Sequence, residues 1–402
     1  MMIRSKIDQP GQPVPAHSDE LVAVHERMLG ASRARSRHIE VGSGRRVHVI
    51  EAGQGPPVLF LHGSSTSSLS VLPLLERVDG ARAIAVDRPG FGLSEPVQVP
   101  RQRYRYAAVE FVDEVLDELG LETSALAGGS IGGTWALWYA LARPERVRRL
   151  VLLTGAPLLP GTHSAAPVRV MAAPVVGDLL ARVVKPNAKM VVRFMSSMGE
   201  RDTIVRHPNL IESMVAAGRD PVASAANLAE LRAGISPFGF RRSLRVRPEE
   251  LRRLTVPTLL ICGDHDPVGS VKVAEATARL IPRAQLEVLP AGHVPFLGHL
   301  DECPSSCPRW SARKAMDEFP IHHQADRSVR AAAIQEARTG TLSATASPAA
   351  DRDGRDATGR WPLVRDPRTS PGSAPEPSLC DKDGQHVRME RQASSEVMSP
   401  ES

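Results

Sequence analysis

The sequence predicts an α/β protein: a mostly parallel, doubly wound sheet that carries a helical lid insertion and a disordered C-terminal tail. Three observations predict it. From Ile39 onward, short β-branched runs alternate with helix-length segments, the pattern of a parallel sheet covered by helices on both faces. That alternation is suspended once, between Ala156 and Glu249, and ends after Leu300. A glycine-rich turn, Gly128-Gly129-Ser130-Ile131-Gly132, lies between an apolar strand and a helix.

Taken in order, residues 1–37 read as a polar, proline-bearing leader with one amphipathic helix at Asp19 to Leu29. Residues 38–155 form the first part of the core. Its expected strands are Arg46 to Glu51, Val58 to Leu61, Arg82 to Val86, Ser124 to Ala127 and Val147 to Leu153. Helices are expected near Leu69 to Arg77, Tyr106 to Leu119 and Ile131 to Ala142. Residues 156–248 show helix-like patterns, several prolines and no convincing strand; a structureless loop of that length is improbable, so they read as a helical lid. The apolar stripes in it, among them Val170, Val176, Leu179, Leu180, Met190 and Phe194, read as core, with substrate lining as the alternative. Residues 249–302 complete the core with strands at Thr258 to Ile261 and Gln285 to Leu289 and a helix at Val271 to Leu280. Residues 303–402 hold so little Leu, Ile, Val and Phe that ordering them is not offset by burial.

Composition narrows the function. The chain has 402 residues, 42% of them hydrophobic, and glycine brings the apolar share to roughly one half, the usual value for a globular protein. The net charge of +5 is spread over scattered arginine pairs without aromatic interleaving, which argues against a nucleic-acid partner. Four cysteines are too few for a disulfide framework, and Cys303 and Cys307 lack a second ligand pair for zinc. Asp8, Asp19, Glu20 and Glu26 interrupt the apolar stretch a signal peptide needs, and no run reaches the length of about 18 apolar residues that would span a membrane. A cytoplasmic location is expected.

The chemistry centres on Ser130. Gly128, Ser130 and Gly132 make a G-x-S-x-G pattern between the strand Ala125-Leu126-Ala127 and the helix beginning Thr134-Trp135, the setting of a nucleophile elbow. The glycines let neighbouring backbone pass close by, and the helix start offers free N–H groups to a developing negative charge. A serine hydroxyl needs a base, and the base needs a third group to orient it. Two downstream strands supply both at their carboxyl ends, where open α/β sheets place ligands. Leu259-Leu260-Ile261-Cys262-Gly263-Asp264-His265-Asp266 ends in two carboxylates, and Leu286-Glu287-Val288-Leu289-Pro290-Ala291-Gly292-His293 ends in a histidine. Ser130, Asp266 and His293 are the candidate catalytic set, with Asp264 the alternative acid and His299 the rival base. The backbone N–H groups of Ser64, after Leu61-His62-Gly63, and of Ile131 are the candidate oxyanion hole. His62 reads as a loop-shaping residue.

With these pieces stated, the sequence resembles the α/β-hydrolase fold superfamily of lid-bearing serine hydrolases. The matching segments are Leu61-His62-Gly63-Ser64, Asp87-Arg88-Pro89-Gly90-Phe91-Gly92-Leu93-Ser94, the turn at Ser130, Gly263-Asp264-His265-Asp266-Pro267 and Ala291-Gly292-His293-Val294-Pro295-Phe296. The resemblance implies that the acid is the second carboxylate, Asp266. It also sets aside haloalkane dehalogenases and epoxide hydrolases, whose elbow carries aspartate where this chain has Ser130. A small or medium hydrophobic ester is the expected substrate, with water releasing the acid and no metal or organic cofactor. Carbon-carbon bond hydrolase, lactonase and cofactor-free perhydrolase use the same triad, and a non-catalytic small-molecule receptor is the reading from another class. The family's final helix begins at Gly298-His299-Leu300 and is broken by Cys303-Pro304, a break that a shift of coding frame near Glu302 would produce.

Overall fold

The computed structural model describes residues 16–42, 44–78 and 80–299, all within the unit Met1–Ile321. Helix α1 (Asp19–Gly30) leads into strands β1 (Arg35–Val41), β2 (Arg45–Ala52) and β3 (Pro57–Leu61). Helix α2 (Leu72–Leu75), β4 (Arg82–Val86), α3 (Tyr104–Glu118), β5 (Ser124–Gly128), α4 (Ile131–Ala142) and β6 (Val147–Leu152) follow. The insertion contains α5 (Ala166–Ala172), α6 (Val176–Val183), α7 (Ala188–Ser197), α8 (Arg201–Val205), α9 (Pro208–Arg219) and α10 (Pro221–Gly234). It closes with a short hairpin, β7 (Ile235–Ser236) and β8 (Gly239–Phe240). The core resumes with α11 (Pro248–Arg252), β9 (Thr258–Gly263), α12 (Val271–Leu280), β10 (Ala284–Leu289) and α13 (Pro295–Gly298).

Eight strands form one sheet in the order β1-β2-β4-β3-β5-β6-β9-β10. The β1–β2 and β2–β4 pairs are antiparallel and the rest parallel. Side chains alternate between the two faces of a strand, so the sheet feeds two cores. Leu59 and Leu61 join α3 and α4 through Phe111, Val115, Trp135 and Trp138. Val58 and Phe60 join α1, α2 and α9 through Leu21, Leu72 and Val215. Central strands buried on both faces must be apolar at nearly every position, as Val58-Leu59-Phe60-Leu61 is.

Three sequence expectations are corrected. The segment read as a leader ends in the edge strand β1, which opens at Arg35, and α1 buries Leu21, Val24, His25 and Met28. The spacing of those four is one helical face. Helix α1 is also tied to the insertion, since His17 Nδ1 and Ser18 N–H reach the Asp220 carboxylate at 3.0 and 2.6 Å. Second, the insertion does contain strand, the β7–β8 hairpin. Third, its apolar stripes divide differently from expectation: Val191 and Met195 are buried, but Val170, Val176, Leu179, Leu180, Met190 and Phe194 face solvent. The tail 303–402 and the Cys303-Pro304 break lie outside the described residues.

Leu126 is fully buried in the central strand β5. Leu126→Ala should cost about 3 kcal/mol of stability, read as a lower urea midpoint with unchanged slope.

Candidate active site

Strand β5 turns into α4 within two residues, and the turn is set by backbone contact. A methyl on Gly128 would lie 2.5 Å from the Gly132 carbonyl carbon, and one on Gly132 would lie 2.2 Å from Leu61 O. Neither position tolerates a Cβ. Ser130 between them has φ 52° and ψ −123°, a conformation that L-residues other than glycine rarely hold. Its N–H donates to Thr154 Oγ1 at 2.8 Å, and its side chain makes no capping bond to α4.

The acid and the histidine meet as their strand ends dictate. His293 Nδ1 lies 2.9 and 3.0 Å from the two Asp266 oxygens, and both residues are buried. Asp266 Oδ1 also accepts from the N–H groups of Val268 and Gly269 at 2.7 and 3.2 Å, and Oδ2 from Gly155 N–H at 3.2 Å. Four groups within hydrogen-bond distance hold this carboxylate in place. Asp264 is exposed and turns away, its Oδ1 accepting from Ala291 N–H at 3.0 Å and lying 2.6 Å from His265 Nδ1. His299 lies with Nε2 3.4 Å from Pro290 O, so Asp266 and His293 form the pair. Adjacent residues, Thr154 and Gly155, hold the Ser130 backbone and the Asp266 carboxylate. Ser130 Oγ and His293 Nε2 share no hydrogen bond among the described residues. Such a contact is often long in an unliganded enzyme and tightens with substrate.

The N–H groups of Ser64 and Ile131 have no hydrogen-bond partner among the described residues. Ile131 is the first residue of the twelve-residue helix α4, where an unpaired donor is expected. The glycine before Ser64 stands over the serine: a methyl on Gly63 would fall 3.4 Å from Ser130 Cβ.

A buried polar network behind this loop was not foreseen. Glu230, on α10, receives both ends of the Arg88 guanidinium, the Tyr104 hydroxyl at 2.7 Å and the Ser64 hydroxyl at 2.7 Å. Arg88 also donates to His62 O and Gly63 O at 3.0 Å each and stacks its guanidinium over Phe91 and Trp135. Burial disfavours the Glu230 charge, yet Arg88 and the two hydroxyls hold its carboxyl below the usual range. The only sequence signal was a single carboxylate among the alanines of α10. His62 behaves as expected of a loop-shaping group: Nδ1 lies 2.8 Å from Gly63 O while Nε2 accepts from Arg88 N–H at 3.0 Å. Burial, then the neighbouring Arg88 charge, pushes it down to about 4.

A hydrogen-bonded serine–histidine–carboxylate string lies elsewhere. Ser36 Oγ is 2.8 Å from His48 Nε2, and His48 Nδ1 is 2.7 Å from Asp87 Oδ2. Ser36 lines a cavity of about 650 Å³ between α1 and β1, whose walls do not include Ser130, Asp266 or His293.

The family model for the alpha/beta hydrolase fold matches residues 56–190. Haloalkane dehalogenase 2 of Mycobacterium bovis is 31% identical over 266 residues, 62% of this chain and 82% of that protein. This chain belongs to the α/β-hydrolase fold family. Carboxylesterase YbfK of Bacillus subtilis is 29% identical over 254 residues, 62% of this chain and 78% of that protein. Among solved structures, naproxen esterase of Bacillus subtilis superposes with a TM-score of 0.56 at 22% identity, covering 72% of this chain and 96% of that one. Two such differently named relatives at similar identity establish a hydrolase family without choosing the bond. Among the described residues of this α/β-hydrolase, no helix is long and apolar enough to cross a membrane, and no three His, Cys, Asp or Glu are grouped to hold a metal ion.

His62 gives this member of the family a pH signature. Its folded value lies below the unfolded 6.5, so the unfolded chain takes up a proton first as pH falls. The associated stability is complete above about pH 6.5 and drains toward pH 4. Between about pH 7 and 5 the loss is on the order of 2 kcal/mol. His62→Gln, which cannot be protonated, should show a shallower fall in melting temperature over that range than the unsubstituted protein.

Proposed function

We propose that this α/β-hydrolase is a serine hydrolase that cleaves a small or medium hydrophobic ester through an acyl-enzyme. His293, oriented by Asp266, takes the proton from Ser130 Oγ as that oxygen attacks the ester carbonyl carbon. The N–H groups of Ser64 and Ile131 receive the tetrahedral oxyanion. His293 then returns the proton to the leaving alcohol, and water, deprotonated by the same imidazole, releases the acid and restores the serine.

The observation that supports the reading is the positive-φ Ser130 at the head of α4, under the Gly63 loop, where the N–H groups of Ile131 and Ser64 have no partner among the described residues. That is where a tetrahedral oxyanion needs donors, and a strained residue persists only where its surroundings enforce it. A hydroxyl at the elbow is suited to attack on an acyl carbon, whereas displacement of halide through an alkyl ester intermediate would need a carboxylate there. The carboxylesterase relative supports the ester class. The Ser36 string has none of this: Ser36 sits within the edge strand β1, with no helix start behind it. Glu230 acts as a positioning residue. Its bonds to Ser64 and Arg88 set where the Ser64 N–H stands.

Ser130→Ala should lower kcat on an aryl acetate or butyrate by about a thousand-fold or more while the melting temperature stays put. A fluorophosphonate probe should mark Ser130 in the unsubstituted chain and nothing in Ser130→Ala. Turnover that survives the substitution, or a label at Ser36, refutes the mechanism; a folded, unlabelled chain that still binds apolar ligands favours the receptor. Glu230→Gln keeps the shape but weakens the hold on Arg88 and Ser64, so kcat should fall roughly ten-fold with KM little changed. A change confined to KM would remove Glu230 from any role in placing the oxyanion donor.

A further inference from the structure

Helix α6 is turned the wrong way round for a part of a water-facing surface. Its apolar residues Val176, Leu179, Leu180 and Val183 fall at i, i+3, i+4 and i+7, one continuous face. All four are exposed, Leu179 at 60% and Val183 at 69%, while Gly177 is the buried residue of the helix. Preceding it, Val175 has φ 67° and ψ −57° and is 76% exposed, a tight turn closed by Val176 N–H on Pro174 O at 2.7 Å. A β-branched residue holds that backbone only under strain. The next helix, α7, buries Val191 and Met195 but leaves Met190 and Phe194 in solvent. Scattered apolar residues on a surface need no explanation, but a whole helical face does.

The charges around this face choose its occupant. Between Ala166 and Ser197 the sequence has five cations, Arg169, Arg182, Lys185, Lys189 and Arg193, against one carboxylate, Asp178. Asp178 is already committed to Arg232 at 3.0 Å. Exposed apolar side chains flanked by unopposed lysine and arginine are the composition of an element that lies in a membrane interface, apolar face among the acyl chains and cations at the headgroups. A second copy of the chain would bring the same cations against one another, which makes it the poorer fit. We propose that the α6–α7 face docks on an anionic lipid surface.

The docking surface adjoins the proposed reaction centre. Just beyond α7, Met198 O accepts from His293 N–H at 2.9 Å, and Glu200 Oε1 accepts from Val294 N–H at 2.7 Å. A lid seated on lipid therefore holds the histidine loop directly through the segment that follows α7. Docking itself does not depend on the chemistry proposed for Ser130, and binding is the readout that decides it.

The full chain is sedimented with vesicles of phosphatidylcholine and with vesicles of phosphatidylcholine mixed with phosphatidylglycerol, and its size is measured by light scattering. The expected result is binding to the mixed vesicles, weaker binding to the neutral ones, and weakening by added salt, which screens the headgroup charges. Leu179→Asp with Val183→Asp should reduce binding to the mixed vesicles at least about ten-fold, with an unchanged thermal melt and unchanged turnover of a water-soluble ester. If that pair fails to fold, Lys185→Glu with Lys189→Glu provides the same loss from two exposed surface positions. Ser130→Ala should bind as the unsubstituted chain does. Failure of the folded chain to bind either vesicle overturns the proposal, as does binding that neither pair of substitutions weakens. A dimer in solution that Leu179→Asp with Val183→Asp converts to monomer also overturns it and assigns the face to a second copy.

Discussion

The contact on which the site depends is one of backbone against backbone. Helix α4 can start directly behind the sheet only because Gly128 and Gly132 have no side chain where they meet each other and where Gly132 meets the carbonyls of Leu61 and His62. That approach leaves the chain no room to relax the residue between them, so Ser130 is held at positive φ and its hydroxyl is kept out of the packed layer. The strain is sustained by the two cores, which fix β5 and α4 independently through Leu126 on one side and Ala125 and Ala127 on the other. A single alanine at Gly132 would have to move either the helix or β3, and both are anchored by fully buried residues.

From that contact outward, each layer is held by the next. The loop after β3 stands over Ser130, and its carbonyls at His62 and Gly63 are gripped by Arg88, which is in turn charge-balanced by Glu230 from the insertion. A buried guanidinium without its carboxylate would be strongly unfavourable, and the reverse is equally true. The pair therefore commits α10 to one seat on the core and makes the loop geometry depend on the insertion being closed. The neutral state of His62 belongs to the same arrangement, since its Nε2 accepts from the Arg88 N–H and a proton there would set two donors face to face.

How much of this was legible in the sequence follows from range. Where a signal is local, it was readable: Ile131–Ala142 and Val271–Leu280 begin and end where the pattern of apolar residues and turn signals puts them, and the pairing of His293 with Asp266 rather than Asp264 is where the resemblance put it. The edge strand β1 was obscured because an antiparallel edge that buries only Ile39 and Val41 is mostly polar and carries no run of apolar residues. The insertion misled for a deeper reason. Periodicity reports that Val176, Leu179, Leu180 and Val183 share a face, but nothing in the spacing says whether protein, solvent or lipid lies opposite. Glu230 was invisible for the complementary reason: its three partners, Ser64, Arg88 and Tyr104, come from loops and a helix more than 100 residues away in sequence, and a carboxylate on a helix is otherwise a solvated side chain.

The Ser36–His48–Asp87 string shows that a hydrogen-bonded chain of these groups is not by itself the mark of a nucleophile. The Ser36–His48–Asp87 string is hydrogen-bonded throughout, yet Asp87 also accepts from the N–H groups of Ser68 and Leu93 at 2.6 and 3.0 Å. It works as a hub that closes the loop after β4 onto β2, and its carboxyl is held far below the ordinary range by His48 despite complete burial. Ser36 lies in an edge strand, with no helix start behind it. Ser130 shares no hydrogen bond with His293 among the described residues, but it heads α4 and the Gly63 loop stands over it. Since stabilisation of the developing charge is usually the largest single contribution to acyl transfer, the proposed mechanism ranks oxyanion donors above a ground-state hydrogen bond in choosing Ser130 over Ser36. In the proposed mechanism the Ser130 to His293 contact is the one that substrate draws together, and the segment from Met198 to Glu200 holds the histidine loop from the side of the insertion.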